Sequence, residues 1–157
     1  MDDDLPQFSP WPLLAWLLPL AALGYVALHY GSLPDRVPTH FDGRGQVNGW
    51  GPKATLWLLP GLGLGLQALL GFVTAHPQWC NVPVTITDAN RAAVYALCRA
   101  LVTFLRVVLG VLFAVLSYAT VQGARGALPA WFVGVLFASL AATLGGSVYY
   151  SLKMRAA

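Results

Sequence analysis

An all-α polytopic membrane protein is the architecture expected of this chain: one membrane domain over residues 1–157, with four transmembrane helices and an ordered 22-residue loop between helices 1 and 2. Hydrophobic residues fill 57% of the 157 positions, charged residues only 10%, and mean hydropathy is +0.64. Soluble domains carry about 25% charged residues, because a water-facing surface needs them. The apolar residues also fall in blocks of about 20, the length that crosses a bilayer as a helix. Disorder is excluded by the same composition, since it requires low hydrophobicity and high charge. The +3 net charge is scattered among the apolar blocks. It forms no basic stripe for nucleic acid and reads as membrane-flanking charge.

The first span covers 11–30. Pro12 suits its first turn, where a missing N–H costs nothing, and Pro19 predicts a kink that neighbouring helices must satisfy. Ahead of it, Met1-Asp2-Asp3-Asp4 is acidic where a secretory signal carries cations, so no signal peptide is expected. The second span covers 54–75. Its Gly61 and Gly65 form a G-x-x-x-G pair that permits close approach by another helix, in this chain or in a second copy. The third begins as an interfacial helical lead-in from Asn90 and becomes a span over 101–121, with Thr85, Thr87 and Asp88 as N-cap candidates. Helical periodicity puts Arg91, Arg99 and Arg106 on one face. With Asn90 they form a basic face expected to meet anionic headgroups or a protein partner. The fourth span covers 128–150. Trp131 and Tyr149-Tyr150 mark two aromatic belts, and Ala138, Ala142 and Gly146 offer a second small-residue face for packing or homo-oligomer contact.

Orientation rests on a narrow margin. Five cations lie at the end holding the second loop and both termini, against four at the end holding the first and third loops. The positive-inside rule then leans toward cytoplasmic termini. Cys80 and Cys98 stand in no metal-ligand spacing, and no disulfide is expected, because a lipid-solvated bundle does not need one.

The most informative stretch is residues 32–53, which carry three prolines and four glycines. Pro34 and Pro38 hold their neighbours extended, while Asp42-Gly43 and Asn48-Gly49 are turn signals. The loop is expected to fold back over the helix ends as a lid anchored by Phe41 and Trp50. Lys53 should mark the membrane boundary, its stem along apolar surface and its ammonium in water. In an extended segment His40 and Asp42 project from the same side, a pairing suited to proton sensing.

The pattern Leu33-Pro34-x-x-Val37-Pro38-x-His40-Phe41-x-x-x-Gly45, followed by Gly51-Pro52-Lys53, resembles the N-terminal domain of SdpI-type bacterial immunity proteins. The run from Asn81 to Arg91, leading to Tyr95 and Arg99, is similar to that family's second landmark. The resemblance implies a multi-pass protein of the bacterial inner membrane acting in peptide-toxin immunity or envelope signalling. It also implies a peptide toxin or a regulatory protein as partner. Pro34, Pro38, His40, Phe41, Asp42, Gly45 and Lys53 would form the partner-binding loop.

Catalytic signatures are sparse. No G-x-S-x-G or H-E-x-x-H is present, and Ser117, Ser139 and Ser147 lie in spans, where small polar residues pack helices. The expectation leans away from an enzyme, with no cofactor. The alternative is a metal-dependent membrane enzyme whose divalent ion is held by His29, His40 and Asp42, a His-His-carboxylate set. A small oligomeric transporter is a further alternative. Gln67 and Arg106 are its polar groups at bilayer depth, where a lone arginine is costly unless it snorkels or finds a partner.

Overall fold

The computed structural model describes residues 9–157; the acidic Met1–Asp4 stretch, and the signal-peptide reading built on it, lie outside the described residues. Among the described residues, four helices are long and apolar enough to cross a membrane: α1 (Trp11–Tyr30), α2 (Leu58–Ala75), α3 (Arg91–Ala124) and α4 (Phe132–Arg155). Between α1 and α2 the chain forms two strands, β1 (Arg36–Phe41) and β2 (Val47–Pro52), then a 3-10 turn over Lys53–Trp57.

The limits of α1 coincide with the expected first span. The third helix does not divide into a lead-in and a span. It runs unbroken for 34 residues, about 51 Å, because no proline interrupts it. Asn90 occupies the N-cap position rather than Thr85, Thr87 or Asp88. The fourth helix starts later than expected, at Phe132, and continues to Arg155. The extra turn carries Met154, which is buried against Cys98 and Val102.

All the other helices pack on α3, while α4 packs on little else. Each crossing uses a glycine. A Cβ on Gly110 would lie 3.1 Å from Leu18, where α1 crosses α3, and one on Gly63 would lie 3.2 Å from both Phe113 and Pro19, where α2 meets α3 and α1. Gly146 lies against the Phe104 ring, where α4 meets α3. That face is therefore filled from within the chain, which removes Gly146 from the expected homo-oligomer stripe with Ala138 and Ala142. Gly61 and Gly65 face outward, with nothing within 4 Å of the positions their side chains would take.

Arg106 departs from the expected basic face. It is 4% exposed, its Nε donates to Gln67 Oε1 at 3.1 Å, and Gln67 Nε2 donates to the Arg106 carbonyl at 2.8 Å. The guanidinium also lies over Trp16, 5.9 Å from the ring centre. Periodicity places the three arginines correctly, but the neighbouring helices cover them unequally. Arg91 is exposed and pairs with Asp88 at 2.7 Å. Arg99 is exposed beside the first turn of α1. At the depth of Arg106, α1 and α2 close over the helix, and a charge there takes an internal partner instead of snorkelling.

Cys80 and Cys98 are joined in a disulfide, contrary to the expectation. The reason lies in the segment between α2 and α3. Apart from a 3-10 turn over Pro77–Trp79 it has no regular structure, so its backbone does not fix it. The bridge ties it to α3, and Val82 and Val84 pack against the cluster of Cys98, Val102 and Met154.

Gly63→Leu is expected to lower stability in detergent by about 1–3 kcal/mol through overpacking. Gly61→Ala should leave it unchanged or slightly raised, since alanine favours the helix. Thermal melts of the two variants against the parent check this.

Candidate functional site

The loop is a β-hairpin laid over the ends of α1 and α3. β1 and β2 pair antiparallel, with Val37 opposite Gly51, Pro38 opposite Trp50 and His40 opposite Gly49, and an irregularity around Thr39. Asn48-Gly49 is therefore strand, not turn. Its glycine, and Gly51, are needed because a Cβ would fall 2.8 Å from His40 Cβ and 2.7 Å from Thr39 Cγ2 respectively. Glycine in a strand marks such close approach. The turn itself is built by Asp42. One of its carboxylate oxygens accepts from the amides of Arg44 at 2.9 Å and Gln46 at 2.8 Å, and Gly45 completes it with φ +80°.

The inner face is apolar. Val37 is fully buried with Leu33, Leu56, Val26 and Val121, flanked by Tyr25 and Tyr30. Pro38 and Phe41 rest on Gly123 of α3, and the Phe41 ring meets Phe132 of α4 edge-on at 5.1 Å. Gly45 sits against Val133 of the same helix. Phe41 is thus an anchor, as expected. Trp50 is not: it is 49% exposed, although Pro38 opposite it is buried. The central anchor is Val37, which the aromatic signal overshadowed.

Lys53 closes the base of the hairpin instead of reaching into water. Its Nζ donates to the Leu33 carbonyl at 2.9 Å and lies 4.7 Å from the Tyr30 ring centre, while its amide donates to Asp35 O at 2.8 Å. An ammonium at a chain crossing gains more from a fixed carbonyl and a ring face than from snorkelling. Pro34 is exposed at the approach to β1.

The outward face carries Arg36, Thr39, His40, Asn48 and Trp50. Arg36 Nη2 donates to the Trp50 carbonyl at 3.4 Å. His40 Nδ1 hydrogen-bonds Oδ1 of Asn48, the residue before its cross-strand partner Gly49. The expected His40–Asp42 dyad is absent, because Asp42 is spent on the turn. His29 Nδ1 hydrogen-bonds the Tyr25 carbonyl one turn back, at 2.8 Å. The expected metal set of His29, His40 and Asp42 is not assembled: each has a local partner, and no group of three His, Cys, Asp or Glu suited to a metal ion occurs among the described residues.

At the opposite end, Asn90 and Thr87 bond reciprocally. Thr87 N donates to Asn90 Oδ1 at 2.8 Å, and Asn90 N donates to Thr87 Oγ1 at 3.3 Å. Asn90 therefore shapes the turn into α3 and is not part of a displayed surface with Arg91 and Arg99.

Residues 17–64 match the family described as a domain of unknown function, DUF1648. That stretch runs from the first half of α1 through the hairpin into α2, so it is centred on the cap. An uncharacterized protein of Archaeoglobus fulgidus is 32% identical over 78 residues, covering 45% of this chain and 39% of the relative. The chain thus spans well under half the length of the curated relative it matches. No solved structure matches.

Val37→Ala or Phe41→Ala is expected to lower stability by about 2–4 kcal/mol by emptying the seat of the hairpin. Trp50→Ala should stay within about 0.5–1 kcal/mol, as an exposed substitution does. Melting temperatures in detergent separate the two classes.

Proposed function

We propose that this chain is a non-enzymatic, SdpI-like protein of the bacterial inner membrane, and that its hairpin cap docks a regulatory protein in envelope signalling. The observation that carries this reading is the division of the hairpin. Val37, Pro38 and Phe41 are fixed on the helix ends, while Arg36, His40 and Trp50 face outward. A half-exposed tryptophan held beside an arginine on a rigid strand has the makeup of a binding hot spot. Such a pair loses little freedom when a partner arrives. The motif between Leu33 and Lys53 and the match over 17–64 support reading the cap in the light of that family.

The disulfide favours signalling over toxin immunity. Disulfides persist on the oxidising side of a membrane. Cys80–Cys98 lies at the end that holds both termini, which favours termini outside and the hairpin in the cytoplasm, against the narrow cation margin. A toxin arriving from outside would not meet a cap so placed.

In the native host, a photo-crosslinker at position 50 is expected to capture a cytoplasmic protein, and Trp50→Ala to abolish signalling at unchanged protein level. Alkaline phosphatase fused after Ala157 should be active. An inactive fusion overturns the orientation. Deletion that alters neither neighbouring gene expression nor resistance to membrane-active peptides overturns the function.

A further inference from the structure

At the end away from the hairpin, α1 and α4 each pack on α3 but make no extensive contact with one another. The gap between them is a cleft of about 680 Å³, within the range of small-molecule sites. Its floor is Phe104, Val107 and Val108, and its rim carries Thr74, Arg99 and Tyr150. Arg99 stands eight residues into α3, about 12 Å from its start. The strongly apolar part of that helix begins just beyond, at Leu101, so Arg99 sits at headgroup depth with apolar surface beneath it. Arg106 lies seven residues deeper on the same face, but Gln67 engages its Nε and Trp16 covers it.

Among the described residues, the charge around the cleft is one-sided. The acidic side chains among the described residues are Asp35 and Asp42 at the hairpin end, and Asp88, which pairs with Arg91. None of them lines the cleft. We propose that the cleft seats one anionic phospholipid of the surrounding bilayer, with an acyl chain along Phe104, Val107 and Val108 and its phosphate on Arg99. The Tyr150 hydroxyl is a second donor at the rim. A zwitterionic lipid would bring a cationic group toward the same arginine and lose most of that attraction.

The test is native mass spectrometry of the full chain in detergent, with phosphatidylglycerol or phosphatidylcholine added at equal concentration. Phosphatidylglycerol should be retained about fivefold better, the effect of one surface cation. Arg99→Gln should bring the ratio close to one, and Val107→Trp, melting like the parent, should reduce retention of both lipids. Arg91→Gln removes the same charge from the same helix outside the cleft and should keep the preference. The proposal is overturned if the parent does not discriminate, or if Arg99→Gln still does. Displacement of the lipid by inorganic phosphate at equal concentration would overturn it too, since the headgroup alone would then suffice. So would a preference that emerges only after Asp2, Asp3 and Asp4 are changed to Asn, because the chain's own acids would then be the counter-charge.

Discussion

In a bilayer, an apolar helix gains no hydrophobic energy by leaving lipid for another helix. Backbones must approach closely enough for dispersion and a few hydrogen bonds to decide the matter. Here that demand converges on α3. Gly110 admits Leu18 of α1, Gly63 of α2 admits Phe113, Gly146 of α4 admits Phe104, and Gly123 admits the hairpin through Pro38 and Phe41. One long helix, with a glycine on one side or the other of each crossing, is the frame on which the rest is placed.

The same geometry explains where polar groups are tolerated. Arg106 and Gln67 satisfy each other across the α2–α3 contact, and Gly71 leaves room for the guanidinium, whose Nη2 would lie 3.4 Å from a Cβ there. Removing either partner would leave a buried polar group with nothing to bond. At the two ends, polar side chains shape backbone. Asp42 makes the hairpin turn, Lys53 fastens its base, and Asn90 with Thr87 starts α3. Among the described residues, exposed polar side chains include those on the outer face of the cap and Arg99.

Helix number and the first span were legible because composition and block length decide them. The interior limits of the third span were not, since an arginine that finds an internal partner no longer marks a membrane boundary. The ordered loop was legible from Pro34 and Pro38. Its strands were obscured because Asn48-Gly49 has the chemistry of a turn, and only the alternation of Gly49 and Gly51 hinted at close strand pairing. Phe41 was recognised as an anchor by its size, whereas Val37 and the exposure of Trp50 depended on which way each strand faces. The disulfide was not legible because helices in lipid have no need of one, whereas the bridge secures an irregular segment joining two of them.

The hairpin's seat lies far along the chain from the hairpin. Residues 36–52 rest on Val121, Gly123, Phe132 and Val133, and these are made about 80–90 residues after Phe41. At bacterial or eukaryotic synthesis rates that is a wait of about 5–20 s. During this interval the strands have formed, if at all, without their apolar floor, and a two-stranded ribbon alone is marginal in water. Completion of the cap therefore requires α3 and the first turn of α4 to be in place. A chain truncated or stalled before residue 121 would carry α1 and α2 in the membrane with Val37 and Phe41 lacking their seat on α3.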